Sequence, residues 1–150
     1  MCGIAGIVSL GERSDVLPNQ LVRDMCELMK HRGPDDEAYY SNGYVHLGMR
    51  RLAIIDLRKG LYPIRNENGR ICLFYNGEIY NFRELSKELV ARGHTLSSMT
   101  DGEVIAHAYE EWGPDCFKRL NGMWAFALWD SESENLIVAG DHFGIIILLH

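Results

Sequence analysis

The chain has 150 residues, of which 47% are hydrophobic and 24% charged, and its formal net charge is -6 at pH 7. This length and composition are typical of one soluble globular domain with a real core. The negative charge and the lack of any run of Lys and Arg argue against a nucleic-acid partner. No stretch approaches the ~20 apolar residues that cross a bilayer, and no secretory leader is present. We therefore exclude a membrane role and expect a cytoplasmic protein with reduced thiols.

The first half of the chain predicts strands around one amphipathic helix. Apolar residues recur at helical spacing from Leu21 to Met29, after Pro18-Asn19 and before Gly33-Pro34. Arg50 and Arg51 are expected to lie between two strands. The predicted strands cover residues 4–9, 44–47 and 52–56.

The second half predicts a strand, two helices and three further strands. Asn76-Gly77 follows an apolar run directly and is a strong turn signal. Asn81 with Glu84 and Thr100 with Glu103 have the spacing of capping boxes, so a helix is expected after each pair. The order of strands, helices and strands again predicts an α+β fold or a layered sandwich. The strands are expected at residues 71–75, 123–129, 136–139 and 145–149.

Cys2 directly follows the initiator methionine. Removal of Met1 would leave a thiol and a free α-amine on one residue, and such an N-terminal nucleophile can use its own amine as general base. The alternative is a cysteine that simply begins a buried strand. Cys2 alone does not decide between the two readings.

Other polar residues at predicted turns have both a functional and a structural interpretation. Residues 31–37 carry three acids that could ligate a metal or form a solvated loop, and one of Arg50 and Arg51 could clamp a carboxylate. Asn76-Gly77 could supply oxyanion donors or a plain hairpin turn, and Asp101 could cap a helix or meet a cation. The scattered cysteines and the histidines lack short metal-ligand spacing, so no metal is expected.

Together these groups supply a thiol nucleophile, oxyanion donors, a carboxylate clamp and an anionic partner for an ammonium. That set suits an α-amino acid whose side-chain carbonyl is attacked.

Five ordered strings carry a resemblance to a known family. The chain resembles the class II glutamine amidotransferases, and within them the glutaminase domain of glutamine-hydrolysing asparagine synthetases. The similarity runs from residue 1 to about residue 146. The strings are Met-Cys-Gly-Ile-Ala-Gly at 1–6, His-Arg-Gly-Pro-Asp-Asp at 31–36, Arg-Leu-Ala-Ile-Ile-Asp at 51–56, Asn-Gly-Glu-Ile-Tyr-Asn at 76–81 and Leu-Asn-Gly-Met at 120–123.

The resemblance implies an N-terminal-nucleophile hydrolase fold, a four-layer αββα sandwich of two antiparallel sheets. It implies that Cys2 attacks the carboxamide of L-glutamine and forms a glutamyl thioester, which water hydrolyses to glutamate while ammonia leaves. The implied roles of the other residues follow from the motifs. By position in the motifs, Arg51 matches the residue that binds the substrate α-carboxylate, and Asp101 matches the residue that binds its α-amino group. Asn76 and Gly77 match the oxyanion hole. The remaining substrate contacts are matched by Glu78 and by the backbones of Leu52 and Ile54.

The family also implies partners. The glutaminase reaction needs no cofactor, whereas ATP and Mg would belong to an ammonia-accepting synthetase domain or subunit that these 150 residues do not contain. At the end of the chain, Gly140, Ile147 and Leu149 replace an arginine, a proline and a tyrosine of the family pattern. We expect a glutaminase domain over residues 1–150, truncated at its C-terminus and lacking its last strands, whose unpaired apolar edges favour a homo-oligomer. The alternative is a non-catalytic module that binds glutamine or a partner.

Overall fold

The computed structural model describes residues 2–9, 16–53, 62–98 and 100–146. For residues 16 and 17 it describes the backbone alone. The chain divides into two compact units, Met1–Pro63 and Ile64–His150, and each holds one antiparallel sheet. The described residues contain three α-helices and seven strands. The expected α+β class with two antiparallel sheets is confirmed.

The first unit is a three-stranded sheet with one helix packed on it. The strand order is β1-β3-β2, and Gly3 of β1 lies opposite Arg50 of β3. Val22 and Cys26 of the helix are buried in one cluster with Ala5 of the sheet. The elements are β1 (Gly3–Val8), α1 (Val16–Leu28), β2 (Asp36–Ser41) and β3 (Val45–Arg51).

Three boundaries in this unit differ from the sequence prediction. Helix α1 already includes Pro18, because the free N–H groups of a first helical turn tolerate proline, and it ends at Leu28, well before Gly33. The acidic segment is a loop only in part: Asp35 is exposed and precedes the strand, whereas β2 begins at Asp36. Arg50 and Arg51 do not lie between strands but are the last two residues of β3. No strand follows at residues 52–53, and the rest of that predicted strand lies outside the described residues.

The second unit is a four-stranded sheet in the order β4-β5-β6-β7, with α3 packed on β5. Helix α3 is buried at every position from Gly102 to Tyr109, and this buried run includes the polar side chains of Glu103 and His107 among apolar residues. No described helix has the length and apolar character needed to cross a membrane. The elements are β4 (Ile64–Arg65), β5 (Ile71–Ile79), α2 (Phe82–Ala91), α3 (Asp101–Trp112), a 3-10 helix (Gly113–Arg119), β6 (Gly122–Asp130) and β7 (Asn135–Gly140).

The second unit also corrects three predictions. Asn76-Gly77 is not a turn, because β5 continues to Ile79 and pairs with β6 along its whole length. Neither Asn81 nor Thr100 makes a side-chain capping hydrogen bond, although each stands at the start of its helix. Residues 145–146 are not part of a strand, and residues 147–149 of that predicted strand lie outside the described residues.

Arg70 and Asp130 form a bidentate pair that joins the start of β5 to the end of β6. The guanidinium donates from Nε to Oδ1 at 2.8 Å and from a terminal nitrogen to Oδ2 at 2.7 Å. This bonding to Arg70 holds the pKa of the Asp130 carboxyl well below its usual range. The Asp130 side chain is 1% exposed, so water cannot replace its bonds to Arg70. Removing its charge would leave Arg70 without its principal partner.

We therefore expect Asp130→Asn to lower the free energy of unfolding by ~3 kcal/mol at pH 7. Because the pKa of Asp130 is lower in the folded state than in the unfolded state, its ionised carboxylate stabilises the fold above the unfolded-state pKa of about 4. This stabilisation is lost as the pH falls from there through the folded-state pKa. The difference from wild type should thus narrow below about pH 4, as measured by urea unfolding across pH. Asp115→Asn is the control, because Asp115 pairs with Lys118 in solvent and should change little. A difference that is constant with pH would contradict the assignment.

Candidate active site

All four cysteines lie within the described residues, and Cys2 alone among them is partly exposed. Burial raises the pKa of the thiols of Cys72 and Cys116 to about 12, and it also raises the pKa of Cys26. Because the thiolate is the reactive form of cysteine, these three buried thiols are inert at neutral pH. Cys2 is the cysteine that a substrate can reach.

The Cys2 sulfur lies against the backbone of Leu52, just beyond the end of β3. The Leu52 N–H donates to Sγ at 3.4 Å, and the thiol lies 3.8 Å from the Leu52 carbonyl oxygen. The structure therefore brings Cys2 and Leu52 together, and Arg51 directly precedes Leu52 in the chain. Ile54, the other backbone contact implied by the resemblance, lies outside the described residues.

The structure distinguishes the two adjacent arginines. Arg50 is 5% exposed, its Nε donates to the Gly33 carbonyl at 3.0 Å, and its guanidinium pairs with the Glu37 carboxylate. Arg50 is thus the member of the pair that holds the structure together. Arg51 is 8% exposed and is the residue joined to Leu52.

The segment 33–35 holds the end of β3 in place. The Asp35 N–H donates to the Arg51 carbonyl at 3.0 Å, and its Oδ2 accepts the Ala53 N–H at 2.8 Å. A Cβ on Gly33 would stand 2.4 Å from the Arg50 carbonyl carbon, so only glycine allows this approach. The motif at 31–36 therefore fixes the backbone that carries Arg51 and Leu52, a role that its charge alone did not indicate.

Asn76, Gly77 and Glu78 are the partly exposed positions of β5, directly after its buried run. Gly77 has φ 151°, and a Cβ there would meet the Met123 carbonyl oxygen at 2.2 Å. Residue 77 must therefore be glycine for two reasons, its dihedral angle and its contact with β6. The amide of Asn76 and the Gly77 backbone are held in a strand rather than in a turn.

Asp101, the first residue of α3, connects the helix to β5. Its Oδ2 accepts the Tyr75 hydroxyl at 2.6 Å and the Ile79 N–H at 2.9 Å, while its Oδ1 accepts the Gly102 N–H at 2.9 Å. Burial raises the pKa of Glu78, and the charge of Asp101 raises it further. These two carboxyl groups create a locally negative surface that suits an ammonium ligand.

Asn81 joins the motif at 76–81 to the motif at 120–123. Its Nδ2 donates to the Arg119 carbonyl at 2.9 Å, and its Oδ1 accepts the Asn121 N–H at 3.0 Å. The Tyr80 N–H donates to the Asn121 carbonyl at 2.7 Å. The amide that resembled a capping residue instead fixes the end of β5 to the start of β6.

The sequence motifs did not predict that His94 and His107 lie together. Their ring centroids are 5.3 Å apart, next to the carboxylates of Glu67 and Glu110. His94 follows α2 and His107 lies on α3, so their separation in the chain exceeds the short spacings that identify metal ligands. The one feature of the sequence that could have pointed to this cluster is His107, a polar residue among the apolar residues of α3.

A solved structure shares this architecture. The chain is similar to glutamine phosphoribosylpyrophosphate amidotransferase from B. subtilis complexed with ADP and GMP, with a TM-score of 0.51 and 24% identity. The match covers 67% of this chain and 24% of that chain. This likeness shows that the two chains share a fold.

Sequence comparisons agree with the fold. The family profile described as "Glutamine amidotransferase domain" matches residues 1–150, and the chain belongs to this family. It is 40% identical over 146 residues to asparagine synthetase [glutamine-hydrolyzing] 2 of Bacillus subtilis (strain 168). It is 38% identical over 148 residues to asparagine synthetase [glutamine-hydrolyzing] 1 of Arabidopsis thaliana. These matches cover 97% and 99% of this chain but only 19% and 25% of the relatives' own lengths.

Proposed function

We propose that this domain hydrolyses L-glutamine to glutamate and ammonia, with Cys2 as the nucleophile. The observation that carries the proposal is that Cys2 alone of the four cysteines is partly exposed, with its sulfur held at the Leu52 N–H. Loss of Met1 would expose the α-amine of Cys2 as the base. The motif at 1–6, which the chain shares with the family it resembles, supports this role.

The chemistry balances without a cofactor. The α-amine takes the thiol proton, and the sulfur bonds to the side-chain carbonyl carbon of glutamine. The tetrahedral intermediate collapses with cleavage of the C–N bond, and the protonated amine gives its proton to the leaving ammonia. Water then adds to the thioester, the C–S bond breaks, and glutamate and the thiol are released.

The remaining roles follow from the motifs and from the local surroundings of each residue. Arg51 binds the substrate α-carboxylate, as its place in the motif at 51–56 implies, because a guanidinium can hold a carboxylate with two hydrogen bonds. Asp101 binds the α-ammonium, and Glu78 adds to the negative surface there. The Asn76 amide and the Gly77 N–H stabilise the oxyanion.

The backbones of Leu52 and Ile54 supply the remaining substrate contacts in this proposal. We also propose that the chain is a member of the N-terminal-nucleophile hydrolases. In this proposal the ammonia acceptor is an ATP-dependent synthetase domain or subunit, in keeping with the similarity of the chain to asparagine synthetases.

The test is glutamate release measured together with the intact mass of the protein. Protein that has lost Met1 should release glutamate and ammonia in equal amounts, whereas a version with one alanine inserted between Met1 and Cys2 should release none. Methionine removal from that version leaves alanine first, which preserves an α-amine but moves it away from the thiol. Equal activity of the two proteins would contradict the N-terminal mechanism. Binding of glutamine without turnover by the processed protein would instead favour the non-catalytic module.

A further inference from the structure

A second cluster of chemically active side chains lies in the second unit, apart from every residue assigned to glutamine. Glu67 lies between β4 and β5, His94 follows α2, and His107 and Glu110 lie on α3. Each offers one ligand atom, and these four atoms all lie within 4.8 Å of one another. Three separate parts of the unit therefore converge on one point.

Both histidines present Nδ1 to the centre of this cluster. The Nδ1 of His94 is 3.5 Å from Glu67 Oε1 and 3.8 Å from Glu110 Oε2. The Nδ1 of His107 is 3.2 Å from Glu67 Oε2. Atoms bonded at ~2.0–2.1 Å to one tetrahedral Zn²⁺ stand roughly 3.3 Å apart, so two of these separations approach those of shared ligands.

The opposite ring nitrogens face carboxylates outside the cluster. The His94 Nε2 hydrogen-bonds to Glu111 Oε2 at 3.2 Å, and the His107 Nε2 lies 3.7 Å from Glu103 Oε1. In metal sites, a coordinating histidine characteristically donates its other N–H to a carboxylate, which fixes the tautomer and makes the ligating nitrogen more basic. The arrangement around His94 has this form.

His107 supplies the second, independent observation. It is 1% exposed, yet neither of its ring nitrogens has a hydrogen bond within the part of the chain that the structure describes. The buried Oε2 of Glu110 also lacks one there. A buried imidazole without hydrogen bonds is costly, although its Nδ1 stands at hydrogen-bond distance from Glu67. A cation bound by His107 Nδ1 and by the carboxylates of Glu67 and Glu110 would replace the missing hydrogen bonds, because the lone pairs of these groups would point at the ion rather than at one another.

The cluster is also accessible. Glu67, His94 and Glu110 line an open cleft of about 350 Å³ on the surface of the second unit. Arg92, which also lines this cleft, is already paired with Glu88 and Glu111. An ion can therefore enter from solvent.

We propose that Glu67, His94, His107 and Glu110 bind one divalent transition-metal ion, with Zn²⁺ as the best match. Two neutral imidazoles and two carboxylates balance the charge of a divalent ion, and mixed nitrogen and oxygen ligands suit Zn²⁺ better than Mg²⁺ or Ca²⁺. The ion connects the β4–β5 turn, the end of α2 and the middle of α3. Its role is to stabilise the second unit, and it takes no part in glutamine hydrolysis.

The experiment titrates the whole chain, freed of metal with a chelator and kept reduced, with Zn²⁺ in a calorimeter. We expect one equivalent to bind and the midpoint of thermal unfolding to rise with the Zn²⁺ concentration. Glu67→Gln and His94→Asn avoid the buried His107 and should each weaken binding at least ~10-fold, while Glu111→Gln should weaken it ~10-fold through His94. Glu84→Gln is the matched control, because Glu84 is exposed on α2 and should bind Zn²⁺ as wild type does.

Co²⁺ then reports which atoms hold the ion. Ligand-field bands of a tetrahedral nitrogen and oxygen site, lost in His94→Asn, would support the proposal. A thiolate-to-cobalt charge-transfer band would place the ion on a cysteine and overturn it. Failure of one equivalent of Zn²⁺ to bind, or binding unaffected by Glu67→Gln and His94→Asn, would also overturn it and leave the cluster as an ion-pair network.

Discussion

Replacing Cys2 by alanine is expected to reduce the rate of glutamate release at least ~10³-fold, since no other thiol is available to form the thioester. Cys26, Cys72 and Cys116 are buried and cannot substitute for it. The measurement is a coupled assay of glutamate under saturating glutamine. The loss should appear in kcat, because the sulfur acts in the covalent step and contributes little to ground-state binding.

The matched control is Cys116→Ala, which removes a thiol of the same size from the core of the second unit. It should retain most of the activity, with a stability loss of ~1 kcal/mol from the small cavity. Calorimetry on Cys2→Ala should show glutamine binding close to that of wild type. Glutamate release by Cys2→Ala at the wild-type rate would reject Cys2 as the nucleophile.

Replacing Gly77 by alanine is expected to lower the free energy of unfolding by ~3 kcal/mol or more. The new Cβ would stand 2.2 Å from the Met123 carbonyl oxygen and 2.6 Å from the Trp124 Cα. Both are backbone atoms of the paired strand, so relief requires β5 and β6 to separate. Urea unfolding of the variant and wild type measures the loss, and glutaminase activity should fall with it because the Asn76-Gly77 backbone moves.

Gly69→Ala separates the two causes. Gly69 also has a positive φ, 73°, but a Cβ there would meet nothing within 4 Å. Gly69→Ala should lower the free energy of unfolding by only ~1–2 kcal/mol, which is the cost of placing a Cβ on a residue with left-handed backbone angles. Equal losses in the two variants would show that the backbone angle at Gly77, and not the contact with β6, decides its identity.

The sequence predicted most elements whose apolar residues have a clear period. Strands β1, β6 and β7 and helices α2 and α3 lie close to their expected positions, because burial of one face leaves a strong pattern. The failures occurred where a local signal competed with strand pairing. Asn76-Gly77 favours a turn in isolation, but the ladder with β6 overrides that preference.

The motifs predict Cys2, Arg51 and Asp101 as site residues, but they do not predict what holds these residues in place. Periodicity does not tell Arg50 apart from Arg51, the resemblance assigns Arg51 to the substrate, and the bonds of Arg50 to Gly33 and Glu37 are visible only in the structure. The anchoring of β3 by Asp35 and the link made by Asn81 each join distant segments. Such bonds depend on tertiary geometry, for which a single sequence has no periodic signal.

The strand position of Asn76-Gly77 has a consequence for the chemical lifetime of the protein. Asparagine followed by glycine is prone to deamidation, in which the glycine nitrogen attacks the side-chain amide and closes a succinimide ring. That closure needs backbone freedom, which Gly77 lacks while it is paired with Trp124 of β6. The same dipeptide at Asn68-Gly69 lies in a turn in which Asn68 is exposed, so deamidation should be faster there than at Asn76 as long as the sheet is intact.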